Sequence, residues 1–292
     1  MTVHVTRRPR IFVLLLFMMA LAGCGQARTG ADASATRTPP ATAPTTTTTA
    51  PHAPPVGYQP SGPERTRTTA LGYQVNTCVP VEHDPGTFTL TTADGVHLSA
   101  LELGTGERGV LLAHEQGYNI CSWLSLGEEL AAAGYHVMLF EYRNHGASER
   151  ATPNTHIDRD VSAALAELHR RGADRVLIAG ASCGGTSSAV VAATEPRLAG
   201  LLLLSSPAHC LGEDGETAVR SITRPSLFAV SPGDYSGNMI KEVRTLHAAS
   251  AAGDKHLEIV PGGRHGTDML RHNQPERLHQ LVRDFIDSAF RQ

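Results

Sequence analysis

A serine lies within a short run of small residues that is able to expose a nucleophile. Residues 180 to 184 read Gly-Ala-Ser-Cys-Gly and match the pattern G-x-S-x-G around Ser182. In this pattern two glycines allow a strained turn between a strand and a helix, so that the hydroxyl group stands clear of the backbone at the helix N-terminus. The apolar run Val176 to Ala179 precedes the turn and the small residues Thr186 to Thr194 follow it. This context predicts a strand, a sharp turn and a helix, with Ser182 as a candidate nucleophile.

A base and an acid for this serine can be chosen by their positions in the chain. Serine needs both, because an isolated hydroxyl group is a weak nucleophile at neutral pH. His265 follows the last predicted strand within the glycine-rich run Pro261 to Gly266. Asp234 follows the predicted strand Ser226 to Val230. The sequence therefore predicts a catalytic triad of Ser182, Asp234 and His265.

Other acids and histidines remain as alternatives for these roles. Asp268 is better explained as a cap for the element that follows it. His145 is interpreted as a brace for its own loop, although a catalytic role stays open. The remaining alternatives are Glu213 and Asp214 for the acid, and His209 as a further histidine that could approach the site.

Alternating strands and helices must hold these residues in place. After an opening hairpin at Ala93-Asp94-Gly95, helical and extended patterns alternate to the end of the chain. Repeated βα units imply an α/β fold with a mostly parallel sheet covered on both faces. The predicted strands are Phe88 to Leu103 (two strands), Val110 to Ala113, His136 to Phe140, Arg175 to Ala179, Gly200 to Ser205, Ser226 to Val230 and His256 to Val260; the predicted helices are Leu124 to Ala133, Asp160 to Arg171, Ser182 to Thr194, Met239 to Ala252 and Pro275 to Phe290.

From Phe88 to Gln292 the chain resembles the α/β-hydrolase family. The run Tyr142 to Ser148 (YRNHGAS) is similar to the family's R-G-H-G-x-S loop, with Asn144 in place of the first glycine. The serine turn and the His265 loop follow in the family's order, serine, acid, histidine. The resemblance implies an α/β-hydrolase fold with an eight-stranded, mostly parallel sheet. The short interval between the strands Gly200 to Ser205 and Ser226 to Val230 predicts that no substantial lid domain covers the site.

The resemblance also implies an oxyanion hole made of two backbone N–H groups. Cys183 supplies one, and Gln116, in the run His114-Glu-Gln-Gly117, supplies the other. Glu115 departs from the common H-G pattern and resembles the glutamate of dienelactone-hydrolase-like members, which use cysteine where this chain has Ser182. We expect Glu115 to tune specificity, to favour a cationic leaving group or to pair with Arg143. His114, Glu115 and His209 are candidate substrate-site residues.

The N-terminus has the features of a bacterial export signal. Arg7, Arg8 and Arg10 precede the apolar run Ile11 to Ala22, which is short for a permanent membrane span. Leu-Ala-Gly-Cys24 resembles a lipobox, which implies a lipoprotein signal peptide over residues 1–23 and a lipid on Cys24. We expect a protein anchored to the cell membrane and facing outward; a plain secretory signal is the alternative.

A Thr-, Pro- and Ala-rich segment separates this signal from the predicted α/β-hydrolase domain. Residues 24–70 contain almost no large apolar side chain and predict a disordered tether, followed by the α/β-hydrolase domain at 71–292. The formal charge of the whole chain is −3 and becomes −6 once the three signal arginines are removed. Nothing in this balance suggests a nucleic-acid partner.

The remaining cysteines leave their pairing open. Cys78, Cys121, Cys183 and Cys210 are an even number in an exported chain, so three disulfide pairings are possible and four free thiols are an alternative. No Cys/His spacing suggests zinc, and no cofactor is expected.

The combined pattern predicts a serine hydrolase that cleaves short-chain carboxylic esters through an acyl-enzyme. The expected partners are a small-molecule ester and the membrane, and the sequence leaves the oligomeric state open. A peptidase or an acyltransferase on the same fold remains an alternative, as does a catalytically silent surface binding module.

Overall fold

The computed structural model describes residues 58–152, 155–272 and 275–292. The predicted signal peptide, Cys24 and the tether up to residue 57 lie outside the described residues. Within the described part, no helix is long and apolar enough to cross a membrane.

Twelve strands and six α-helices follow one another within these residues, and each predicted strand and helix is confirmed with ends shifted by a few residues. The strands are β1 (Thr66–Thr68), β2 (Gln74–Asn76), β3 (Thr87–Thr91), β4 (His97–Leu103), β5 (Arg108–Ala113), β6 (His136–Phe140), β7 (Arg175–Ala181), β8 (Leu198–Leu204), β9 (His209–Cys210), β10 (Glu213–Asp214), β11 (Ser226–Val230) and β12 (Lys255–Ile259). The helices are α1 (Leu124–Ala132), α2 (Asp158–Arg170), α3 (Cys183–Ala192), α4 (Gly215–Val219), α5 (Met239–Ala249) and α6 (Pro275–Arg291).

Eight strands form the central sheet in the order β12-β11-β8-β7-β5-β6-β4-β3. β4 runs antiparallel to both of its neighbours, and the other neighbouring pairs are parallel. The carboxyl ends of parallel strands meet at one edge of a sheet, where ligands bind in open α/β folds. The loops after β5, β7, β11 and β12 therefore emerge on the same side, and these loops carry the candidate catalytic residues.

Helices cover both faces of the sheet and bury its apolar side chains in two layers. Helices α2 to α5 pack on one face, where Val161, Leu165 and Val243 are buried against the strands. On the other face α1 and α6 pack through Leu126, Val282 and their neighbours. The parallel strands are buried on both faces, which explains their nearly continuous apolar runs.

Residues 58–70, which the sequence analysis assigned to the tether, pack against the rest of the described chain. Strand β1 pairs with β2, and the Tyr58 hydroxyl group donates a hydrogen bond of 3.2 Å to the carbonyl oxygen of Ala147. The Tyr58 ring also stacks on His97, with 5.4 Å between ring centroids. Residues 58–70 thus pack on the domain instead of forming the end of the tether, because an aromatic anchor and a strand pair outweigh the local polar composition.

The connection between β8 and β11 contains small elements. The two-residue strands β9 and β10 pair with each other, and the five-residue helix α4 follows them. The sequence predicted that this interval is too short for a lid domain; the strand pair was not predicted. A helical lid of the size found in lipases would need several tens of residues, which this connection does not have.

Two disulfide bonds resolve the open pairing of the cysteines. Cys78 bonds to Cys121, with 5.9 Å between their Cα atoms, and this bond joins the N-terminal segment to the loop after β5. Cys183 bonds to Cys210, with a Cα separation of 5.4 Å, and this bond joins the first residue of α3 to β9. Both separations are typical of protein disulfides.

Candidate active site

Ser182 occupies the strained turn that its motif predicts. β7 ends at Ala181 and α3 begins at Cys183, so a single residue connects the strand to the helix. Ser182 has φ of 50° and ψ of −130°, a backbone conformation that L-residues rarely adopt. Strain of this kind, on the order of 1–3 kcal/mol, is found at functional sites. The serine lies at the helix N-terminus, and its backbone N–H donates to the carbonyl oxygen of Leu204 at 2.9 Å.

The two motif glycines are required by close packing around this turn. A Cβ atom on Gly184 would overlap the carbonyl oxygen of His114, and one on Gly180 would overlap Gly184 and Ser188. Helix α3 therefore begins directly against the end of β5. This contact brings the turn of Ser182 next to the loop expected to supply the oxyanion donor.

Asp234 and His265 are in direct contact at the ends of neighbouring strands. His265 Nδ1 lies 2.9 Å from Asp234 Oδ1 and 3.0 Å from Oδ2. The Asp234 side chain is fully buried, whereas that of His265 is 19% exposed. The backbone N–H of Gly233 donates to the carbonyl oxygen of Gly262 at 2.9 Å, which holds the two loops together. The carboxylate is thus placed to orient the ring and leave Nε2 available for proton transfer.

The histidine loop also touches the serine turn. A Cβ atom on Gly266 would lie 3.4 Å from the Cβ atom of Ala181, so the residues adjoining His265 and Ser182 are close neighbours. Ser182 is 8% exposed. No hydrogen bond joins the Ser182 hydroxyl group to His265 among the described residues. Catalytic hydrogen bonds are often long or misaligned before substrate binds, so a triad does not require this hydrogen bond in the free protein.

The two backbone N–H groups predicted for an oxyanion hole are those of Cys183 and Gln116. Cys183 is the first residue of α3, and the first N–H groups of a helix have no acceptor within it. In the described residues the N–H of Gln116 also donates to no acceptor. Both donors predicted from the sequence are thus free on the two loops that the Gly184 contact brings together.

The alternative acids have other partners. Glu213 accepts hydrogen bonds from the Ser187 hydroxyl group and, at 2.9 Å, from the N–H of Asp158. Asp214 accepts from Thr217 N–H at 2.9 Å and thereby caps α4. Asp268 does not cap the following element with its side chain; its Oδ2 accepts from the Tyr118 hydroxyl group at 2.8 Å. Asp234 is the acid in contact with His265, because its loop lies beside the histidine loop at the ends of β11 and β12.

Two of the three candidate substrate-site residues cannot face a substrate, because they are buried. His114 is fully buried; its Nδ1 donates to the carbonyl oxygen of Glu115 at 2.9 Å, and its Nε2 accepts from Tyr142 N–H at 3.1 Å. Burial lowers the pKa of His114 to about 3, so the ring stays neutral. Glu115 is 1% exposed. Both side chains therefore contact other parts of the protein and not the solvent.

The other histidines near the site have structural contacts. The His209 side chain is 63% exposed, and its Nε2 lies 3.2 Å from Asp214 Oδ1. His145 donates from Nδ1 to the carbonyl oxygen of Arg143 at 2.9 Å and accepts from Gly117 N–H at 3.4 Å. Its interpretation as a loop brace agrees with these contacts.

Glu115 does not pair with Arg143, which was one of its expected roles. The Arg143 guanidinium is bound by Asp160, at 2.7 Å, and by Asp94 in the β3–β4 turn, at 2.9 Å. Glu115 Oε1 instead accepts from the backbone N–H of Thr267 at 3.1 Å and from the Thr267 hydroxyl group. Asp160 and Asp94 bind the arginine, and Glu115 instead binds Thr267 of the histidine loop.

Glu141 is a buried acid that the sequence did not single out. Its carboxyl group accepts hydrogen bonds from Asn76 Nδ2 at 3.0 Å, from Ile120 N–H at 3.4 Å and from Ala147 N–H. It therefore connects the N-terminal segment, the loop after β5 and the loop after β6. Burial raises the pKa of Glu141 to about 7, although these three donors favour the ionised form. The position directly after β6, where a buried strand ends, is the signal in the sequence that could have identified it.

This raised pKa predicts that stability falls as the pH rises. Between the unfolded value near 4.5 and the folded value of about 7 the native state binds more protons, so the free energy of unfolding decreases across this window. The decrease amounts to about 3 kcal/mol. Glu141→Gln is expected to flatten this part of the profile, measured by denaturant unfolding from pH 4.5 to 8. The exposed Glu82→Gln is the control and should leave the slope unchanged; an unchanged slope in Glu141→Gln would contradict the assignment.

The described residues hold no group arranged to bind a metal ion, and a cavity of the sheet region lies away from the triad residues. No group of three or more His, Cys, Asp or Glu side chains in the described ranges is arranged to hold a metal ion. A cavity of about 790 Å³ lies between β3 and α2, and the triad residues do not line it. We therefore place the candidate site by its chemistry, at the carboxyl edge of the sheet.

Comparison with known proteins agrees with this fold. A family model described as alpha/beta hydrolase fold matches residues 110–223, which include Ser182 but end before Asp234 and His265. No curated protein matches the chain. The chain has the α/β-hydrolase fold, with an eight-stranded, mostly parallel sheet flanked by helices.

Solved structures with this fold include esterases and a lipase. The esterase Pf2001 of Pyrococcus furiosus matches with a TM-score of 0.60 and 18% identity, covering 69% of this chain and 91% of its own. A thermophilic esterase from Thermogutta terrifontis, with malate bound, matches with a TM-score of 0.57 and 18% identity over 70% of this chain and 98% of its own. A monoacylglycerol lipase from Paleococcus ferrophilus matches with a TM-score of 0.57 and 18% identity, covering 66% and 99%. At 18% identity the similarity to these structures shows a shared fold alone.

Proposed function

We propose that this protein is a serine hydrolase that cleaves short-chain carboxylic esters through an acyl-enzyme. The observation that carries the proposal is the combination of a strained Ser182 at the start of α3 with a buried Asp234 held against His265. The similarity of the fold to esterases and a lipase supports ester substrates.

In the proposed mechanism the Ser182 hydroxyl oxygen attacks the ester carbonyl carbon while His265 Nε2 takes its proton. The negative charge on the carbonyl oxygen is stabilised by the N–H groups of Gln116 and Cys183. His265 then donates the proton to the departing alcohol, and the carbon–oxygen bond to the alcohol breaks. Water attacks the acyl-enzyme with the same base, which releases the acid and restores the serine. Asp234 stabilises the imidazolium in both steps.

A fluorophosphonate probe tests the proposal directly. The purified protein should be labelled at Ser182, identified by peptide mass spectrometry, and should hydrolyse p-nitrophenyl acetate. Hydrolysis should disappear once the probe has reacted to completion, because the serine is then blocked. A protein that neither reacts with the probe nor hydrolyses esters would be a silent binding module, whereas labelling with amide cleavage or transfer to alcohols would indicate a peptidase or an acyltransferase.

The short connection between β8 and β11 predicts a preference for short acyl chains. With β9, β10 and α4 there instead of a lid, little apolar wall is available, and Tyr235 beside His265 is 63% exposed. Each added methylene should therefore gain much less than the ~0.8 kcal/mol of full burial. We expect kcat/KM for p-nitrophenyl esters of roughly two to six carbons to exceed that for palmitate, without activation at an oil–water interface. A steady rise of kcat/KM up to palmitate would contradict the open site.

We further propose that the protein is a lipoprotein anchored through Cys24. The lipobox-like Leu-Ala-Gly-Cys and the Thr- and Pro-rich segment after it support this location. Cys24→Ala should move the protein out of the membrane fraction or leave it uncleaved, because a multiply acylated cysteine anchors firmly. Ser34→Ala, ten residues along the same segment, should fractionate like the wild type. Unmodified wild type found entirely in the culture medium would refute the anchor.

A further inference from the structure

Two loops of the proposed active site are joined by a pair of side-chain contacts. We call residues 114–119 the oxyanion loop and residues 261–268 the base loop. Glu115 of the oxyanion loop binds Thr267 of the base loop, and both residues are buried. Tyr118 binds Asp268 at the surface, where Tyr118 is 37% exposed. The loops are 152 residues apart in sequence, so these contacts exist only in the folded protein.

The buried contact connects the two catalytic elements with few intervening atoms. Glu115 directly precedes Gln116, the proposed oxyanion donor, and Thr267 is the second residue after His265. Gly266, between the base and the threonine, has φ of 54°, and a Cβ atom there would lie 3.0 Å from Glu115 Oε1. The backbone of the base loop therefore rests on the carboxyl group itself.

The burial of the Glu115 carboxyl group lowers the stability of the fold. We take this cost as an indication that the residue serves the active site. One oxygen, Oε1, accepts both hydrogen bonds from Thr267, while Oε2 is buried without a partner within the described part of the chain. A buried carboxylate oxygen without a partner destabilises a protein. Burial accordingly raises the pKa of Glu115. Such groups in native structures call for a functional explanation.

We propose that Glu115 is a positioning residue that couples the oxyanion loop to the base loop, and thereby keeps His265 and the Gln116 N–H in register across Ser182. The inference rests on the proposed function. Glu115 acts through Thr267 and does not touch the substrate, since its carboxyl group is buried and bound to that residue. A shift of about 1 Å in such a site can lower a rate on the order of 100-fold.

Four variants test this coupling. Glu115→Ala should lower kcat for p-nitrophenyl acetate on the order of 10- to 100-fold with KM within about twofold, and should slow fluorophosphonate inactivation by a similar factor. Glu115→Gln should keep activity within about fivefold of the wild type, because its amide oxygen still accepts from Thr267. Thr267→Val should have a kcat between those of Glu115→Ala and Glu115→Gln. Tyr118→Phe removes the exposed contact of the same two loops and is the matched control, with activity within about twofold.

A double variant and the unfolding midpoint separate positioning from general damage. Glu115→Ala combined with Thr267→Val should be no worse than Glu115→Ala alone, because both remove one link. Glu115→Gln should unfold at the same temperature as the wild type or higher. If Glu115→Ala fails to fold, the kcat values of Thr267→Val and Thr267→Ser test the coupling instead. Serine keeps the hydroxyl donor to Glu115, so Thr267→Ser should be the more active of the two.

Three results would overturn the coupling in an active wild type: a kcat for Glu115→Ala within threefold of the wild type, a loss confined to KM, or equal losses in Glu115→Gln and Glu115→Ala. Equal activity of Thr267→Val and Thr267→Ser would overturn it as well. A wild type that is neither labelled at Ser182 nor active on esters would instead refute the proposed function, and this inference with it.

Discussion

Ser182→Ala is expected to lower kcat for activated esters on the order of 10⁶-fold, to a rate that only the oxyanion donors and substrate binding support. The methyl group leaves no nucleophile that could form the acyl-enzyme. The measurement is initial-rate kinetics on p-nitrophenyl acetate, with loss of fluorophosphonate labelling as the second readout. His265→Ala should be similarly impaired, because the hydroxyl group then has no base.

Ser188→Ala is the matched control for this experiment. Ser188 is a fully buried serine on the same helix, and its hydroxyl oxygen has no hydrogen-bond partner among the described residues. Its removal should leave kcat within a few-fold of the wild type. Activity of Ser182→Ala within tenfold of the wild type would reject the nucleophile.

Asp234→Asn is expected to lower kcat on the order of 10⁴-fold, less than the loss of the nucleophile. An amide group at this position either presents an N–H to His265 Nδ1 or turns its oxygen there without the negative charge. In both cases the imidazole loses the partner that orients it and stabilises its protonated form. The kcat of the variant on p-nitrophenyl acetate measures the effect.

Glu213→Gln provides the control for the acid. Glu213 is an acid after β8 whose pKa burial raises to about 7, and it binds Ser187 and Asp158 instead of His265. Its replacement should leave kcat within a few-fold of the wild type. If Glu213→Gln were the more damaged variant, Asp234 would not be the acid.

Local patterns were sufficient to predict the parts of the site that depend on chain order. The apolar run before Ser182 and the small residues after it specified a strand, a turn and a helix, and the structure has β7 and α3 there. Asp234 and His265 were chosen because each follows a predicted strand. They lie in contact because β11 and β12 are parallel neighbours, so that their carboxyl ends meet.

Contacts between polar groups far apart in the chain were not predictable in this way. Glu115 could pair with Arg143 on sequence grounds, yet it binds Thr267, and Arg143 is bound by two other acids. Glu141 joins three segments and was not identified. Each of these partners depends on which loops the sheet order brings together, and composition or periodicity carries no information about that.

The sequence by itself determined the fold class, the order of the candidate triad and the shortness of the segment between β8 and β11. Each of these follows from residue types and spacings within one element and its flanks, where backbone propensity and burial of an apolar face decide the outcome. Only the tertiary structure decided the disulfide pairing, the packing of residues 58–70 on the domain and the partners of the buried carboxyl groups. A cysteine or a carboxyl group can pair with any suitable group that lies close to it. Which distant segments lie close is set by how the helices pack on the sheet.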